Sequence, residues 1–127
     1  MNFLKNKTVN SKIKGSKSEE IASNYLVDKG YQILERNYHC SRKEIDIIAK
    51  RGNTISFVEV KSKSKKAVFN PENLITAKKQ KSIFQVANFY LEKNKVDNCN
   101  FSFDVIIVNY TSEGVKIEHY ENSLQFL

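Results

Sequence analysis

The chain has 127 residues, of which 40% are apolar and 28% charged, with one proline and four glycines. That balance fits one globular domain and excludes collagen-like, low-complexity and disordered chains. The net charge is +7, and no apolar run approaches the ~20 residues of a membrane helix, so no membrane partner is expected.

Residues 1–14 lack periodicity and read as a flexible basic arm ahead of a single domain over 15–127. The Lys-rich start has no apolar stretch behind it, which is not the pattern of a secretory signal. From Ser16, the spacing of Ile21, Ala22, Tyr25 and Leu26 predicts a helix, with Glu19 and Glu20 in its first turn and Lys29-Gly30 as its stop. Residues 31–38 alternate weakly and read as a strand. Cys40 stands alone, as does Cys99, and two isolated cysteines point to reduced thiols and a cytoplasmic location. Residues 44–49 (EIDIIA) form a second strand, Arg51-Gly52-Asn53 a hairpin turn, and residues 54–61 (TISFVEVK) a third strand. Residues 62–70 read as a Lys-rich loop. Pro71 is expected to open a second helix that runs to about Lys93 on an inner stripe of Ile83, Val86, Ala87, Tyr90 and Leu91. Strands over 101–108 and 115–120, turned at 112–114, close the chain. The order is αβββαββ, an α/β domain with a mixed sheet flanked by helices and a parallel crossover between the third and fourth strands.

Positive charge falls in two blocks. Residues 1–17 carry five Lys and no acid, and residues 61–81 carry seven Lys against Glu72 alone. Such blocks attract polyanions, nucleic acid first among them.

One acid, Asp46, interrupts the apolar second strand, where a lone carboxylate is costly unless paired or bound to a cation. On the third strand Glu59 and Lys61 share a face by the two-residue period. Pairing about Gly52 sets Asp46 opposite residue 58, to within a residue or two, so Asp46 and Glu59 can lie side by side. Glu19 shares a helix stripe with Ala22 and Leu26, and Lys79 and Gln80 extend the stripe of Ile83 and Ala87, so these too can reach the sheet. Two carboxylates suit Mg²⁺ or Mn²⁺, with the Val60 carbonyl as a third ligand, and Lys61 can orient water or hold transition-state charge. Each motif alone also fits a plainer arrangement, a surface Glu59–Lys61 ion pair with Asp46 at a strand end. Glu44, on the face of Asp46, reads either as a second metal contact or as a partner of Lys43 or Lys61. Asp104 is expected to satisfy buried backbone or Arg36. His39 and His119 read as surface or edge residues. Tyr31, Tyr38, Phe69 and Phe84 read as core first and base-stacking groups second.

The combination Asp46…Glu59-Val60-Lys61 resembles the PD-(D/E)-x-K nuclease superfamily, the restriction-endonuclease-like fold. From Gly15 to about Tyr120 the chain resembles the YraN-like family, distantly similar to Holliday-junction resolvases. The matching stretches are Gly15…Glu19…Ala22…Tyr25-Leu26, Gly30-Tyr31…Arg36-Asn37, 44–49, 57–61, Pro71, Lys79, Ala87, Tyr90-Leu91 and Phe103-Asp104-Val105. The chain departs from the family pattern at Ser18, Lys43, Lys63 and Ser102. The resemblance implies a restriction-endonuclease-like core in which Asp46, Glu59 and Lys61 are catalytic and Glu19 is a supporting acid. It implies a metal-dependent endonuclease acting on DNA, branched or single-stranded, with a homodimer by analogy to resolvases. Lys63, Lys65, Lys66, Lys78, Lys79 and Lys81 are then the phosphate contacts. The alternatives are a non-catalytic nucleic-acid-binding protein on the same fold, or a protein-interaction domain.

Overall fold

The computed structural model describes the backbone of residues 3–64 and 75–124 and the side chains of 15–64 and 75–124. Among these residues the apolar runs form one five-stranded sheet, and the amphipathic stretches form two helices, one on each face. The order is α1 (Phe3–Asp28), β1 (Gln32–Cys40), β2 (Lys43–Arg51), β3 (Thr54–Lys63), α2 (Ala77–Lys93), β4 (Asn100–Thr111) and β5 (Gly114–Tyr120). The strands lie side by side in chain order. β3 and β4 are parallel and every other neighbouring pair is antiparallel. This is the α/β, αβββαββ arrangement, with α2 lying in the parallel connection as expected.

Two helix boundaries differ from the sequence reading. α1 begins at Phe3 rather than near Ser16, because no proline or glycine before Gly15 breaks it. The side chains of residues 1–14, the expected basic arm, lie outside the described residues. α2 begins at Ala77, where the Thr76 hydroxyl accepts from Lys79 N as an N-cap. Pro71, the expected start, lies outside the described residues. The end of α1 falls where expected. Gly30 adopts φ 92, Gly30 N donates to Val27 O, and Tyr31 N donates to Leu26 O at 2.9 Å, the paired bonds of a Schellman cap.

The sheet is buried on both faces. Ile48, Phe57, Val105 and Ile107 meet Ile83, Val86, Ala87 and Tyr90 of α2. Ile47, Ala49, Val58, Ile106 and Val108 meet Ala22 and Leu26 of α1. Each Val, Leu, Ile or Phe among them contributes roughly 1.5–3 kcal/mol on burial. Tyr31 and Tyr38 serve this packing: Tyr31 is buried, and Tyr38 meets Tyr90 edge to face. Phe84 is exposed beside Phe103, and Phe69 lies outside the described residues. No described helix is long and apolar enough to cross a membrane.

Candidate metal and phosphate site

The site forms where the β2–β3 ladder stops. Paired residues run from Arg51↔Thr54 to Ile47↔Val58 and no further. The next hydrogen-bonded rung would join Ile45 to Val60. Instead Val60 N donates to the Asp46 side chain, Oδ2, at 2.8 Å. The N–H and C=O of a strand residue leave on the same side, so the Val60 carbonyl also points toward β2 and Asp46.

The neighbouring strand explains why the ladder breaks. Asn37 of β1 lies opposite Asp46, between the pairs Arg36↔Ile47 and Tyr38↔Ile45. It adopts φ 50, a left-handed conformation that asparagine tolerates better than most residues. Ile45 packs on the α2 side and Ile47 on the α1 side, although strict alternation would keep residues two apart on one face. The paired strands therefore twist sharply at Asn37 and Asp46. An irregularity of this kind re-aims one side chain, and here that side chain is the carboxylate of Asp46.

Glu59 faces α2 and is only 6% exposed. Burial, then the adjacent Asp46 charge, pushes its pKa from 4.5 up to about 8. Lys79 and, more weakly, Lys61 pull it down, while a hydrogen bond with Asp46 adds to the rise. Lys79 Nζ lies 3.8 Å from Glu59 Oε2, too far for a hydrogen bond. The Lys79 side chain is partly exposed, so its charge is screened and does not offset the burial. Glu59 Oε2 is left buried without a hydrogen-bond partner. The plainer alternative, a Glu59–Lys61 ion pair, is not made: the cation paired with Glu59 is Lys79, which reaches it from the first turn of α2. Gln80 instead bonds Ile75 O.

Glu19 is half-buried on α1 and lies beside the same acids. Burial first, then the charges of Asp46 and Glu44, raise its pKa, against a hydrogen bond to Asn37 and the charge of Arg36. Glu44 is 3.8 Å from His39 rather than paired with Lys43 or Lys61, because the β1–β2 register sets these two residues opposite each other. Lys43 bonds Gln85 of α2. Asn37 is the residue that sequence reasoning missed as part of the site. Its signal, an asparagine breaking a strand, is visible only once its partner strand is known.

The lysines divide. Lys78 and Lys81 are exposed on the first turns of α2, Lys79 is committed to Glu59, and Lys63 pairs with Glu118 at 3.6 Å. Lys65 and Lys66 lie outside the described residues. Lysines at a helix N-terminus oppose the macrodipole, so helix stability does not account for Lys78 and Lys81.

Asp104 and His119 meet on the other side of the sheet. Asp104 bonds a backbone N–H as expected, that of Asn122 at 3.0 Å, but its side-chain partners are Ser102 and His119, not Arg36. His119 lies on the edge strand β5, one of the two expected placements, but not on the surface: its side chain is 8% exposed and 2.8 Å from Asp104. The β4–β5 register turns it inward against α1.

These features define an α/β protein with a five-stranded mixed sheet and a carboxylate pair, buried Glu59 beside half-buried Asp46, where two central strands part. A family model described as "Uncharacterised protein family UPF0102" matches residues 18–108. The chain belongs to that family, the YraN-like family that its motifs resemble. It is 45% identical over 115 residues to the UPF0102 protein CD630_12710 of Clostridioides difficile, covering 91% of this chain and 99% of that one. It is 44% identical over 117 residues to the UPF0102 protein of Alkaliphilus oremlandii, with the same coverage. With that of Syntrophus aciditrophicus it shares 40% over 111 residues, 87% of each.

Proposed function

We propose that this protein is a metal-dependent endonuclease of the PD-(D/E)-x-K type that hydrolyses phosphodiester bonds in DNA, branched or single-stranded. One observation carries the reading: Glu59 Oε2 is buried without a hydrogen-bond partner, beside a second carboxylate on the adjoining strand. Two acids held together inside a fold are costly, and a divalent cation between them removes that cost. The donor set fits Mg²⁺ or Mn²⁺, which take one or two carboxylates and keep several waters. Asp46 and Glu59 would hold the ion, with the Val60 carbonyl as a third ligand.

Bound there, the ion supplies Lewis-acid charge neutralisation and water activation. The chain's own residues supply the rest. Asp46 is fixed by Val60 N, so its carboxylate enters the reaction already oriented. Lys61 projects from the face of Glu59 and would orient the attacking water or hold charge on the phosphoryl oxygens. Glu19, hydrogen-bonded to Asn37, is a supporting acid at the edge of the site. Lys78 and Lys81, with Lys65 and Lys66, would contact phosphates and give salt-dependent binding without sequence reading, whereas Lys63 is held by Glu118.

A second reading is favoured by one contact. Lys79 already brings positive charge to Glu59, as in a nucleic-acid-binding protein that has no need of an ion. Incubation of the purified protein with branched, single-stranded and duplex DNA, with Mg²⁺ or Mn²⁺, separates the two. Cleavage by wild type and none by Asp46→Asn or Lys61→Ala supports the enzyme. Binding without cleavage under either metal supports the second reading.

A further inference from the structure

A second constellation of ligating groups lies on the α1 face, at the junction of β4 with the end of β5. Asp104 is fully buried in the middle of β4. Its Oδ1 accepts from Asn122 N at 3.0 Å and from the Ser102 hydroxyl. Its Oδ2 lies 2.8 Å from His119 Nε2, while the other ring nitrogen, Nδ1, is 3.1 Å from the Tyr25 hydroxyl. Glu121 follows His119 by two residues. Its contacts, with Tyr31 Oη at 3.1 Å and Arg51 Nη2 at 3.4 Å, both fall on Oε1. One donor atom each from Asp104, His119 and Glu121 lies within 4.8 Å of the others, and this is the one such trio among the described residues. Glu121 and Ser102 also line a pocket of about 240 Å³ shared with Tyr31, Arg51, Thr54 and Ser56.

We propose that Asp104, His119 and Glu121 form a binding site for a first-row transition cation of the Zn²⁺ class, with a coordination position open to this pocket. The site is independent of the Asp46–Glu59 reading. Imidazole with two carboxylates is the donor set of zinc-type sites, whereas Mg²⁺ takes oxygen alone. The outer contacts are those a metal site uses. A hydroxyl fixes the far nitrogen of His119, and a backbone N–H with a hydroxyl fixes the far oxygen of Asp104. The near atoms of both are thereby aimed at each other and at Glu121. Two carboxylates against the Arg51 charge leave one net negative charge for the cation to meet. The pocket gives room for water or an exogenous ligand. A cation here would tie the last strand and the turn after it to the centre of the sheet.

Titration of the metal-free full-length protein with Zn²⁺ by calorimetry tests this. Wild type and Glu59→Gln are expected to bind one tight equivalent. Glu121→Gln is expected to weaken it at least tenfold. Glu121 is 57% exposed in its side chain, so its variant folds even if His119→Gln does not. Co²⁺ in place of Zn²⁺ should give a visible ligand-field spectrum that Glu121→Gln changes. Absence of saturable Zn²⁺ binding, an affinity that Glu121→Gln leaves unchanged, or loss of the tight equivalent in Glu59→Gln would each overturn the proposal.

Discussion

Replacing Glu59 by Gln should change the pH dependence of stability in a defined direction. The folded state holds the Glu59 proton up to about pH 8, whereas the unfolded chain releases it near 4.5. Between those values the unfolded state binds fewer protons, so stability falls as pH rises. The contribution is complete below pH 4.5 and gone above pH 8. At ~1.4 kcal/mol per pH unit the full span corresponds to about 5 kcal/mol. Water entry at the open end of the sheet reduces this, so about 2–5 kcal/mol is expected. The adjacent Asp46 charge is part of the cause, so the figure depends on that neighbour as well as on burial. Glutamine keeps the shape and cannot ionise. Urea midpoints measured from pH 4 to 9 should therefore coincide for wild type and Glu59→Gln near pH 4 and diverge toward pH 8, the variant being the more stable. Contributions from other groups, including Glu19 with its raised pKa, largely cancel in the difference. Mg²⁺ should stabilise wild type at pH 8 and not the variant. Parallel pH profiles for the two proteins, or a variant less stable than wild type at pH 8, would refute the reasoning.

Asp46→Ala should lose about 1–3 kcal/mol because Val60 N–H loses its acceptor, while Asp46→Asn should keep most of that stability and still abolish cleavage; melting and cleavage measured together distinguish the roles. Lys78→Ala with Lys81→Ala should weaken DNA binding at low salt and lower the slope of log K against log[salt] by about 2, read by fluorescence anisotropy at several salt concentrations. The same pair should leave the fold equal or slightly more stable, since both lysines oppose the α2 macrodipole. Thr76→Ala should cost about 1 kcal/mol through loss of the α2 cap, seen as a shift in thermal midpoint.

The strand order and the parallel step were legible because β-branched runs and a short turn leave few alternatives. The approach of Asp46 to Glu59 was legible for the same reason: Gly52 and Asn53 fix the hairpin, and the observed register ends at Ile47↔Val58, one residue short of Asp46 and Glu59. The twist that aims Asp46 was not legible. It depends on Asn37, which reaches Asp46 only through the β1–β2 pairing. The partner of Glu59 was half legible, as Lys79 lies on the apolar stripe of α2, but the choice of Lys79 over Lys61 is made in three dimensions. The edge position of His119 was legible, but its burial against Asp104 was not, because its strand is polar. A sequence does not reveal that α1 covers that edge and brings Tyr25 against the ring.

The most direct test of the central claim is a crystal of wild type soaked in Mn²⁺, with anomalous density as the readout. A peak bridging the side chains of residues 46 and 59 is expected, and its disappearance in Asp46→Asn. A fully soaked crystal with no peak there, the ammonium of residue 79 still facing an empty carboxylate, would contradict it.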